Sequence, residues 1–99
     1  MNEKNRILIV GRQQEMQELV IRLLENVGYI VTSTLDDGVA IDLAGSSDFD
    51  ALVIGGEVSQ SDRRYVTVET RNRKPGIPII VVHSPESVLT QMRQAGLGT

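Results

Sequence analysis

The stretch Arg6-Ile7-Leu8-Ile9-Val10-Gly11 constrains this chain more than any other. It is a short apolar run closed by glycine and followed at once by residues at helical spacing. A strand with one wet face alternates apolar and polar residues. A run without alternation belongs to a strand covered on both faces, as in the centre of a parallel α/β sheet. In such sheets ligands and chemistry gather in the crevice beyond the carboxyl ends of the strands. Here the strand stops at Gly11 and Arg12, neither of which is an acid, a nucleophile or a usual metal ligand.

The same alternation of strand and helix continues downstream. Met16, Leu19, Val20, Leu23, Leu24 and Val27 recur at i, i+3, i+4, i+7, i+8 and i+11. This predicts an amphipathic helix with one buried stripe, ended by Gly28 just past its last turn. Tyr29 to Thr34 is rich in β-branched residues and predicts a second strand. Asp36-Asp37-Gly38 opens a short helix that turns Val39, Ala40, Leu43 and Ala44 to the sheet and closes at Gly45-Ser46-Ser47. Ala51 to Ile54 predicts a third strand, ending in Gly55-Gly56. From Asp62, read as an N-cap, to Asn72 the chain is assigned helical. Tyr65-Val66-Thr67-Val68 alternates as a strand would, but a parallel connection needs a crossover. Lys74-Pro75-Gly76 breaks the chain. Ile77 to Val82 predicts strand four, with Pro78 near its start. Ser84 caps a last helix that has Pro85 at its first position, packs through Val88, Leu89 and Met92, and stops at Gly96. These βα units make one domain over residues 1–99, and right-handed crossovers wind them onto both faces of one sheet.

Composition removes several functions from this frame. The chain has no Cys, which excludes disulfides, thiolate metal sites and thiol catalysis. Its single histidine, His83, excludes a histidine-rich metal site. Aromatics are 3% of residues with no Trp, so the core is aliphatic and stacking platforms for nucleic-acid bases are scarce. A net charge of −3 gives no general attraction to nucleic acid or anionic membrane. No apolar run approaches the roughly 20 residues of a membrane span. Met1 to Asn5 is too short and polar for a signal peptide, so a cytoplasmic location is expected. A glycine-rich phosphate fingerprint and a nucleophile paired with a base are both missing, and no enzyme activity is expected.

The order and spacing of these segments resemble the receiver domain of two-component response regulators. The likeness is carried by Arg6 to Val10 as first strand, by Glu15-Met16-Gln17-Glu18-Leu19 with Leu23-Leu24 as first helix, and by Gly28-Tyr29 before strand two. It continues through Phe49-Asp50 before strand three, Pro75-Gly76-Ile77-Pro78 before strand four, and Gln94-Ala95-Gly96 after the last helix. The resemblance implies a flavodoxin-like sheet of order 2-1-3-4. It also implies a chemistry: a receiver takes a phosphoryl group onto an aspartate at the end of strand three, beside Mg²⁺ held by oxygen ligands. In this sequence the acid pair for Mg²⁺ aligns with Gly11 and Arg12, the phosphoacceptor with Gly55, and the switch hydroxyl with His83, with Ser84 next to it. The expected crevice is therefore Gly11, Arg12, Gly55, Gly56, His83 and Ser84, with no phosphoacceptor, no metal and no cofactor. The resemblance implies a non-phosphorylatable signalling module that acts on a protein partner. A small-ligand sensor in the crevice, and an active phosphoacceptor using Glu57 or Asp50, stand as alternatives.

Each crevice residue also has a plainer role. The glycines can be strand-end turns or sites of close backbone approach. Arg12 can pair with Glu57 or Asp36, or hold an anion beside a helix N-terminus. His83 can be a satisfied polar residue at a strand end, and Ser84 an N-cap. Charge is uneven along the chain: Arg63, Arg64, Arg71, Arg73 and Lys74 face only Asp62 and Glu69 in their stretch. They form either a solvated helix face or a docking patch for an acidic partner. A receiver has a fifth strand and helix that this sequence lacks. Strand four, Ile79 to Val82, is then an uncharged apolar edge with uncovered core beside it, which invites a protein partner or a second copy to form a homodimer.

Overall fold

The structure, a computed structural model, describes residues 6–97. Strands β1 (Arg6–Val10), β2 (Ile30–Thr34), β3 (Ala51–Gly55) and β4 (Ile79–Val82) form one parallel sheet in the order β2-β1-β3-β4. Helices α1 (Gln14–Asn26), α2 (Asp37–Ser46) and α3 (Gln60–Arg73) connect them, and a short 3₁₀ turn at Pro85–Ser87 leads into α4 (Val88–Gln94). This is the doubly wound, flavodoxin-like architecture that the segment order implied. No helix among the described residues is long and apolar enough to cross a membrane.

The pleat of the central strands divides the core. Ile7, Ile9, Ala51 and Val53 face α1 and α4, whereas Leu8, Val10, Leu52 and Ile54 face α2 and α3. Both sets are buried, which is why β1 and β3 read as unbroken apolar runs. The last helix returns to the face that carries α1 rather than crossing to a further strand. There Val88 and Met92 are fully buried over Ile80 and Val82, so the core beside β4 is covered on this face, contrary to expectation. On the other face Ile79 and Val81 are only half-buried. The edge is also partly occupied: the Gln91 amide donates to Val81 O at 2.6 Å and its oxygen accepts from His83 N at 3.3 Å.

Other differences have local causes. The inner stripe of α1 is Gln17, Val20 and Leu24, with Ile21 and Leu23 half-buried, so the predicted stripe is rotated. Met16, Leu19 and Val27 are 36%, 47% and 40% exposed. The apolar arc of α1 is wider than its contact with the sheet, and Gln17 takes an inner position because its amide donates to Thr34 O at 2.8 Å. In α2 it is Ala40, Ile41 and Ala44 that are buried, while Val39 lies outside. The β-branched stretch of α3 is helical, its propensity overridden by the crossover and by burial of Val66. Its cap is Ser59, whose hydroxyl accepts from Asp62 N at 3.2 Å. Asp62 is thereby free for another partner. Gly28 and Gly96 stop α1 and α4 with φ of 101° and 81°, where a side chain would be strained.

Candidate functional site

Parallel register brings the carboxyl ends of the strands side by side, and the loops that leave them meet around one acid. After β1 the chain bends through Gly11, Arg12 and Gln13 into α1. Gln13 is the N-cap position but makes no side-chain capping bond. The acceptor comes from the loop after β3. Glu57 Oε2 receives Arg12 N–H at 2.8 Å and Gln13 N–H at 3.2 Å, and a negative charge there also complements the positive end of the helix dipole. Two glycines make room for this carboxylate. A Cβ on Gly55 would meet Glu57 Oε1 at 2.6 Å, and one on Gly11 would meet Oε2 at 2.9 Å. Gly56 has a separate reason, since its Cβ would fall 2.4 Å from Val82 O. The glycines thus serve close approach more than turning.

The Arg12 guanidinium has other partners. It donates to Asp37 Oδ2 at 2.8 Å, to Asp62 Oδ2 at 3.1 Å and to Gly11 O at 3.1 Å. The expected partners are corrected accordingly: Glu57 holds the Arg12 backbone, and Asp36 instead caps α2 by accepting Val39 N–H at 3.0 Å. The Asp37 hydrogen bond, opposed by burial and helped by Asp62, raises the pKa of Arg12 above its ordinary value. For Glu57, burial opposes ionisation, but the amides of Arg12, Glu57 itself and Gln13, with the charge of Arg12, outweigh it and hold the carboxyl below its ordinary range.

Sequence reasoning thus named the crevice glycines and Arg12, and the structure brings them together around Glu57. It undervalued Glu57 and gave no role to Asp37 or Gln17. One signal was present: an acid directly after Gly55-Gly56 is placed to reach back over the strand ends. His83 is exposed, and Ser84 belongs to the turn before α4, where its N–H donates to Ser87 Oγ at 3.3 Å and its carbonyl accepts from that hydroxyl at 2.8 Å. Both line an apolar cavity of about 80 Å³ together with Gly55, Gly56 and Glu57. Asp50, the other acid weighed as a phosphoacceptor, sits at the opposite end of the sheet, where it accepts Arg6 N–H at 2.8 Å. Among the described residues no three His, Cys, Asp or Glu side chains converge as metal ligands.

The basic stretch is not one patch. Arg73 pairs with Glu69 at 3.0 Å and lies against Gly45 of α2. Lys74 Nζ donates to Phe49 O at 3.2 Å and Ser47 O at 3.4 Å. Arg63 and Arg64 line a groove with Val68 and Val81 beside the β4 edge, and Arg71 is exposed. No family model matches the chain, and no curated protein matches it either.

Proposed function

We propose that this chain is a receiver-like module that does not take up phosphate and works by binding a signalling protein in the cytoplasm. The observation that carries this is the position of Glu57. Its carboxylate fills the space beside Gly55 and Gly11, and one of its oxygens is already committed to two backbone amides. A phosphoryl group arriving there would meet a carboxylate that occupies its space and whose charge repels it, next to a guanidinium held by two aspartates. That arrangement stabilises a single state of the loops and supports a fixed binding surface better than a switch. The flank of α3 with Arg63, Arg64 and Arg71 suits an acidic protein partner, and the β4 edge suits a second copy through its half-buried Ile79 and Val81. No enzyme activity, cofactor or nucleic-acid partner belongs to this proposal.

The test is to incubate the chain with Mg²⁺ and a small-molecule phosphoryl donor and record its intact mass. The expected result is no adduct. A stable phosphoryl adduct located on Glu57 would overturn the proposal and favour the alternative phosphoacceptor.

A further inference from the structure

The cavity beside the strand ends has a composition that selects a ligand. Ile9, Val20, Val53 and Val82 line it with aliphatic side chains, Gln17, His83 and Ser84 are its neutral polar lining, and the one acid among its lining residues is Glu57. The two oxygens of that acid differ. Oε2 holds the Arg12 and Gln13 amides, whereas Oε1 receives no hydrogen bond from another of the described residues, the third donor to this carboxylate being the amide of Glu57 itself. Gly55 and Glu57 both line the cavity, and Oε1 lies closer than Oε2 to the Cβ position of Gly55. A carboxylate held ionised at an apolar wall attracts a cation that brings its own hydrocarbon with it, because such a ligand satisfies the oxygen without leaving the wall wet. The volume of about 80 Å³ is roughly half that of a ~150 Å³ cavity that holds benzene. Such a volume suits a short aliphatic chain. We infer that this cavity binds a primary alkylammonium group, with the ammonium on Glu57 and the chain against Ile9, Val20, Val53 and Val82.

The chemistry has two sources, a free amine or a lysine side chain of a protein. The lysine arm rests on the protein-binding role proposed above and the free-amine arm does not, so the failure of that role can be told from failure of the site. The experiment titrates ¹⁵N-labelled protein with n-butylammonium chloride, n-butanol and sodium butyrate and follows the amides of Gln17, Gly55, Gly56 and Val82. Butylammonium is expected to give saturable shifts at these amides, with butanol weaker by about tenfold or more, the worth of a charge-assisted hydrogen bond, and butyrate inert. Glu57→Gln keeps an oxygen for the two amides and should lose that preference. Met16→Trp, at the exposed rim, should block the cavity in a chain that still folds. Equal shifts with butanol and butylammonium, no saturable shift, or unaltered amine binding in both variants would overturn the assignment. A blocked peptide Gly-Lys-Gly, compared with its norleucine counterpart, separates the sources. Binding at least as tight as butylammonium assigns the site to a partner's lysine. Binding of butylammonium alone assigns it to a small amine.

Discussion

Gly55→Ala offers the sharpest check on the role of Glu57. The backbone of Gly55 is ordinary strand, so alanine itself is tolerated there, and replacing glycine in a strand favours folding by about 0.5–1 kcal/mol. The cost comes from one neighbour. The new Cβ would sit 2.6 Å from Glu57 Oε1, 2.9 Å from Oε2 and 3.0 Å from the carboxyl carbon, the first two shorter than real Cβ atoms adopt. The backbone around it is fixed by the pairing of Gly55 with Val82, so the carboxylate must move. Moving it stretches the bonds to Arg12 N and Gln13 N, which are 2.8 and 3.2 Å long. Losing a capping acceptor of this kind costs about 0.5–2 kcal/mol, and bonds to a charged group lie at the upper end of that range or above it. Gly55→Ala should therefore destabilise the protein by about 1 kcal/mol net. In a Glu57→Ala background the same substitution should be neutral or stabilising by about 0.5 kcal/mol. The coupling between the two sites is then about 1.5 kcal/mol, well within what neighbouring groups show. Urea unfolding followed by far-ultraviolet circular dichroism measures it, since the chain has no Trp. A coupling below about 0.5 kcal/mol would mean that Glu57 does not occupy the space beside Gly55.

The remaining expectations concern packing, pH and the sheet edge. Leu24→Ala empties a fully buried site and should cost about 2–5 kcal/mol, while Leu19→Ala, at a position 47% exposed, should stay within about 0.5 kcal/mol; urea midpoints that reversed this order would put α1 in the wrong rotation. The folded-state pKa of Glu57 lies below the ordinary glutamate value of 4.5, so its charged form contributes stability that is fully present above 4.5 and is lost as pH falls through the lower folded value. The stability gap between the unmodified chain and Glu57→Gln should accordingly be constant near neutrality and close below pH 4.5, and a gap that widened with acid would reverse the sign of this linkage. Gln91→Ala frees the outward groups of Val81 and His83 and should raise self-association in sedimentation equilibrium. If this variant stays as monomeric as the unmodified chain, the edge is closed by something other than Gln91.

What the sequence determined by itself is what depends on near neighbours in the chain. The unbroken apolar runs at Ile7–Val10 and Ala51–Ile54, the helical spacing from Met16 to Val27 and the stops at Gly28 and Gly96 each act over a few residues. They gave the element order, the parallel sheet and its two-sided core. That the strand ends at Gly11, Arg12 and Gly55 carry no acid was legible for the same reason. What the tertiary structure decided depends on pairs far apart in the chain. Whether Leu19 or Gln17 lies inside was open, because the apolar arc of α1 spans more of the helix than the sheet covers, and the choice falls to Thr34 O, 17 residues on. The direction of the last helix was open because both faces of β4 are apolar, and Val88 and Met92 had either to cover. Most of all, the partners at the strand ends lie 25, 45 and 50 residues from Arg12. No local pattern distinguishes Asp37 from Asp36, and the position of Glu57 after Gly55-Gly56 places it near the strand ends without naming its donors. Parallel strands end side by side, and that common end is where three loops meet. Which carboxylate reaches which donor is then set by the register between strands, a property of the folded sheet and not of any one segment.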